Sequence, residues 1–384
     1  MKQRSSLLAV TVCFLLGQLA LSHEQPWGDV ETETFFLRPP DPLLEVVKIP
    51  SQQTEWQFFG LTTQEVISVF ENAQLTTQQL NLLVDVSRWQ VAGNRIRIFP
   101  RPEVIETLRP SSRSAIYRVL ARWPENVYHQ HPIILGIEDP AEWFTKTVVD
   151  PEIIGRLAYR RGDTALFSDV PRLLQSLTNA EEHLPLMKTL LRSRSLTARV
   201  HYDPQANFDE FLRYWSAGGT QTHAVPLLRS LHRARSPRTI DISHLLPELP
   251  RKQLNTYPSI SDGLAGRYPD SMWTSINFFN DEPVDIYGDR READAYVREH
   301  FQPVERPYQF GDLIFLVHQT RRDVVHSCIF LADNIVFTKN NAGILYPWVM
   351  SKLDTVKLFH QREAPLFVSA WRRKEVVAAL ASDP

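Results

Sequence analysis

The chain has 384 residues, a formal net charge of -2, 43% hydrophobic and 22% charged residues. These proportions fit an ordinary globular protein of about two domains and exclude a low-complexity or collagen-like chain. The near-neutral balance gives no overall charge to draw nucleic acid or an anionic membrane, so neither is expected as a partner.

Residues 1–22 read as a signal peptide. Lys2 and Arg4 supply its basic start, 6–19 its apolar stretch, and Ala20-Leu21-Ser22 the small residues of a cleavage site. The apolar run is short for a membrane span, so an exported chain, periplasmic or extracellular, with no transmembrane segment after cleavage is the expectation. Cys13 falls inside this segment, which leaves Cys328 as the one mature thiol. An internal disulfide or a Cys-based metal site is therefore not expected.

Residues 23–56 carry Pro39, Pro40, Pro42 and Pro50 and read as an extended, Pro-rich arm, either lying on the surface of the domain after it or serving as a linker from the export site. Residues 57–240 read as a mostly helical domain, with a short strand or extended piece where Ile96 and Ile98 alternate with Arg95 and Arg97. Thr62-Thr63-Gln64-Glu65 and Thr76-Thr77-Gln78-Gln79 are capping-box starts, each a hydroxyl followed three residues later by Glu or Gln. Further starts carry Pro in the first turn, where its missing N–H is no loss, at Pro102, Pro110, Pro140, Pro151 and Pro171. Later helices are expected over 179–193, 207–216 and 223–234.

Pro247, Pro250 and Pro258 mark a domain boundary near residue 240. In 241–384, strands are expected at 311–318, 324–332, 334–339, 355–361 and 366–371, with helices at 271–280, 289–300, 343–353 and 373–381. The expectation is thus an all-α domain followed by an α+β domain.

Three residues of the second domain carry the chemical signal. Ser271 follows Pro269-Asp270 at the start of an apolar helix, where free N–H groups favour developing negative charge. His326 opens a strand, and alternation puts it on one face with Cys328 and Phe330. Thr338 lies twelve positions later on the next strand, with Asn340 just beyond. The ordered set Asp270-Ser271, Gly311-Asp312-Leu313-Ile314-Phe315 and His326 resembles the NlpC/P60 group of papain-like cysteine peptidases over about 262–372.

That resemblance implies a short nucleophile helix packed on an antiparallel sheet, in a bacterial cell-envelope protein acting on peptide cross-links of peptidoglycan. It also implies Ser271 at the nucleophile position, His326 as the base and Thr338 as the residue orienting it, with Asn340 as the substitute orienter. The departures are a Ser where the family has Cys, and a Thr where it often has a second His. A thiol is activated readily by a neighbouring His; a serine hydroxyl needs a well-oriented base. The leading expectation is a protein that binds a peptide or cell-wall fragment with little or no catalysis. A serine-dependent peptidase or amidase using Ser271 and His326 is the alternative, and a helical scaffold for partner proteins is the third reading. No cofactor and no metal are expected.

Other residues receive plainer readings. Cys328 is expected in the core. His129 and His131 lack a third ligand at metal-binding spacing, and Asp281, Glu282 and Asp285 read as a solvated turn. Asp262, Asp270 and Asp312 read as caps or braces, and Arg229, Arg233, Arg235 and Arg238 as a solvated face. Trp273 is read as core or as a groove wall.

Overall fold

A computed structural model describes residues 25–46, 53–136, 149–161, 164–177, 179–234, 238–265, 269–361 and 365–382; the expected signal segment, the expected helix start at Pro140 and Arg235 lie outside them. The architecture is α+β, with helices interspersed among small antiparallel sheets. Among the described residues, no helix is long and apolar enough to cross a membrane.

The strands in chain order are β1 (Asp29–Leu37), β2 (Trp56–Phe59), β3 (Gln90–Ala92), β4 (Arg95–Ile98), β5 (Ile133–Gly136), β6 (Tyr159–Arg161), β7 (Thr164–Phe167), β8 (Ser193–His201) and β9 (Thr239–Asp241). They are followed by β10 (Phe301–Val304), β11 (Leu313–His318), β12 (Val324–Ala332), β13 (Ile335–Lys339), β14 (Trp348–Lys352) and β15 (Leu366–Arg373). They form sheets in the orders β1-β8-β9, β2-β4-β3, β5-β7-β6 and β10-β15-β11-β12-β13-β14.

The expected all-α domain over 57–240 is therefore corrected: β2 to β9 interrupt it, of which β4 falls on the short strand or extended piece expected at Arg95–Ile98. Most of these strands have three or four residues, too short to display a period of two. β8 is different. Leu196, Ala198 and Val200 point inward between polar neighbours, and the strand pairs with β1 from Asp29↔His201 to Leu37↔Ser193. The Pro-rich arm thus contributes a full edge strand. The expected boundary near 240 does not divide the apolar core either. One cluster gathers residues of 56–190, including Trp56, Phe70, Tyr117 and Phe167. A second joins Leu196–Leu246 to Trp273, Phe315, Ile329 and Phe337.

Arg113 organises the first cluster. Its side chain is fully buried in the helix Pro110–Leu120. It donates to Asp169 Oδ2 at 2.5 Å and to the Ile105 carbonyl at 2.6 Å, while Tyr117 donates to Asp169 Oδ1 at 2.6 Å. A guanidinium whose two terminal nitrogens are so bonded fixes the axial position of its helix. The far end of that helix carries Arg118.

The six-stranded sheet has a helix on each face. Helix Ser271–Ile276 packs through Trp273 and Ile276 on the face bearing Ile329 and Leu331. Helix Leu353–His360 packs through Leu353 and Val356 on the face bearing Cys328 and Phe330. Two local expectations fail here. In place of the expected strand over 355–361, Leu353 and Val356 recur at helical spacing and the segment is helical through His360. A helix over 343–353 is replaced by β14, because Pro347 removes a donor that a helix would need there and Val349 and Met350 pair with Thr338 and Phe337.

Two devices tie β11 in place. Gly311 has φ +89°, and a methyl at its Cα would overlap the Phe279 ring. Only glycine fits that approach. Asp312, buried, accepts from Arg372 Nε at 2.7 Å and Nη2 at 2.8 Å and from the Gln309 N–H at 2.8 Å. Burial pushes its pKa up and Arg372 opposes the shift. Asp312 is thus a brace between β11 and β15.

Candidate functional site

Asp270 has extended backbone, and its carboxylate accepts from the Trp273 N–H at 2.8 Å. That cap starts the helix at Ser271. Trp348 Nε1 donates to Thr274 Oγ1 at 3.0 Å, and Ser275 Oγ donates to Ser327 Oγ at 3.2 Å. These buried bonds lock the helix onto the sheet. At its first turn the Ser327 N–H donates to Ser271 Oγ at 3.3 Å.

His326 is the residue before Ser327, so its side chain emerges on the opposite face of β12. There Nε2 lies 2.7 Å from Thr338 Oγ1, with both residues buried. The imidazole stacks on His360, centroids 4.0 Å apart and planes 19° from parallel. Burial, and then the charge of His360, hold the His326 pKa well below the ordinary histidine value. The ring is therefore neutral near pH 7. With Nε2 engaged, Nδ1 is the nitrogen left for other partners.

The structure brings the three expected residues to one end of the sheet. His326 and Thr338 are bonded directly, and Ser271 is fixed beside them through Ser327. Among the described residues no hydrogen bond joins Ser271 Oγ to His326. Asn340 does not bond His326, but it lines the same cavity, and its Oδ1 is withdrawn from solvent with no hydrogen-bond partner.

That cavity has a volume of about 930 Å³. Asp270, Ser271, His326 and His360 line it from the C-terminal half, and Arg118, Arg122, His131 and Arg161 from the N-terminal half. An adjoining, more apolar chamber of about 380 Å³ shares Asn341, Tyr346 and Phe359 with it.

Lys339, the residue after Thr338, points to the other face and is fully buried. Its Nζ donates to the carbonyls of Asn341 and, at 3.1 Å, Gly343, and lies 5.8 Å from the Trp348 ring centroid. Burial lowers its pKa to about 7, against the pull of Asp270. This amine holds the 341–343 turn, which lines the cavity.

The remaining candidates fall away from the site. Cys328 is buried in the core, where desolvation raises its pKa above the ordinary thiol value. His129 is buried against Tyr117, ring centroids 4.5 Å apart, and burial lowers its pKa to about 3. His131 lines the cavity instead, so the two do not act as a pair. Asp281, Glu282 and Asp285 are exposed, as are Arg229 and Arg233. Trp273 is buried in the core.

Sequence reasoning missed His360, Lys339 and the three cavity arginines. His360 was hidden by reading its helix as a strand. Lys339 carried no signal beyond an unusual charge at the end of an apolar strand. Arg118 and Arg122 have helical i, i+4 spacing, but nothing local told which surface they face.

No family model, curated protein or solved structure matches this chain.

Proposed function

We propose that the chain is an exported protein of the NlpC/P60, papain-like type that binds a peptide or cell-wall fragment in this cavity without cleaving it. The helix–strand order supports the reading: a capped helix beginning at Ser271, then β11, β12 opening near His326, and β13 carrying Thr338. The observation that carries it is the state of His326. A serine nucleophile needs a base within hydrogen-bond reach. Here the imidazole is bonded to Thr338 and stacked on His360, with no bond to Ser271. Thr338 has no charge to stabilise an imidazolium, as the carboxylate of a catalytic triad does.

The test is calorimetric titration of the full chain with peptide fragments released from peptidoglycan. Wild type and Ser271→Ala bind alike, because the hydroxyl is not needed for chemistry. Ser271→Trp, which fills the cavity, loses binding. Unchanged binding by Ser271→Trp, or no binding by wild type, would overturn the proposal.

A further inference from the structure

The cavity that holds Ser271 also carries cationic side chains. Arg118, Arg122 and Arg161 line it, and none has a side-chain ion pair or hydrogen bond among the described residues. Most other arginines near the two halves' cores are committed: Arg113 to Asp169, Arg172 to Glu106, Arg372 to Asp312. Among the described residues the one carboxylate lining the cavity is Asp270, and it is occupied in capping its helix. Three guanidiniums, those of Arg118 and Arg122 exposed and that of Arg161 half-buried, leave a surplus of positive charge in a concave, solvent-reached space. Such a surface concentrates anions, and salt screens the attraction.

The shape of the donors narrows the chemistry. A guanidinium presents a planar fork that matches a carboxylate bidentately. The same lining carries side-chain amides: Gln130, Asn340, Asn341 and Gln361. An amide both donates and accepts, the complement of a peptide group. Simple inorganic anions have no use for those amides.

Resting on the peptide-binding reading above, we propose that the cavity selects acidic peptides: Arg118, Arg122 and Arg161 pair with ligand carboxylates while the amides of the lining hold the peptide backbone. The N-terminal half, which lies outside the stretch resembling a known family, thereby sets the specificity of a site whose other wall belongs to the C-terminal sheet.

The experiment titrates the full chain with end-capped tetraglutamate and tetraglutamine, with inorganic phosphate as competitor. Tetraglutamate binds about tenfold or more tightly than tetraglutamine at low salt, and the gap narrows as salt shortens the Debye length. The Arg118→Gln, Arg161→Gln double variant closes most of that gap and leaves tetraglutamine unchanged; neither side chain has an ion pair or hydrogen bond to lose among the described residues, so its melting temperature stays at the wild-type value. Ser271→Trp abolishes both. Equal affinities that both vanish in Ser271→Trp would sink the charge selection and leave the peptide reading standing. Phosphate displacing tetraglutamate at comparable concentration would mean a site for any anion and would overturn the peptide preference. Binding indifferent to Ser271→Trp, or absent for both peptides, would remove the cavity reading as well.

Discussion

The His326–Thr338 bond is the most exposed point of the account, and Thr338→Val tests it. Valine keeps the branched shape of threonine, so it leaves no cavity in the strand, but it removes the hydroxyl 2.7 Å from Nε2. Both residues are buried, so water cannot take the hydroxyl's place. Leaving a buried polar group without a partner costs about 1–3 kcal/mol. Thr338→Ser keeps the hydroxyl and deletes one methyl, at about 1 kcal/mol. Urea denaturation followed by circular dichroism should therefore rank wild type above Thr338→Ser and Thr338→Ser above Thr338→Val. A cycle with His326→Ala should give a coupling of about 1 kcal/mol or more, since partners in direct contact are not additive. If Thr338→Val is as stable as Thr338→Ser and the cycle is additive, the imidazole is not held by Thr338. It would then be available to Ser271, and the argument for a silent site would fail.

Two further outcomes rest on the same geometry. Gly311→Ala places a methyl into the Phe279 ring at φ +89°; left-handed strain and overpacking together cost about 2 kcal/mol or more, read as a lowered urea midpoint, and a midpoint within error of wild type would show that Phe279 yields freely. Lys339 has a folded pKa of about 7, below the unfolded lysine value of about 10.4, so between these pH values the unfolded chain holds the extra proton. Stability then rises with pH across that window by about 1.4 kcal/mol per unit. From pH 7 to 9 the Lys339→Met variant should lack that slope; an unchanged slope would mean the amine is solvated.

Much of the C-terminal sheet was legible because its signals are local and consistent. Val324–Ala332 appears over the expected span, and Gly311-Asp312 marks the start of β11 through a left-handed glycine and a buried carboxylate. The placement of Ser271 was legible from Asp270, whose cap is a contact within one turn. What escaped depends on partners distant in sequence. β8 has a clear Leu196, Ala198, Val200 alternation, yet its place in the fold is set by β1, which pairs Asp29 with His201 across most of the N-terminal half. Short runs such as Thr164–Phe167 are strands only because β5 and β6 flank them. His360 and Arg118 join one cavity through packing of separate helices, a juxtaposition that neither local pattern contains.

The central claim is that Ser271 and His326 line a binding site and do not cleave bonds. Mass spectrometry of peptidoglycan peptides incubated with the full chain tests it directly, with Ser271→Ala and Ser271→Cys alongside. The account predicts no new fragments from wild type or from Ser271→Ala. Fragments produced by wild type and lost in Ser271→Ala would contradict it and establish a serine hydrolase.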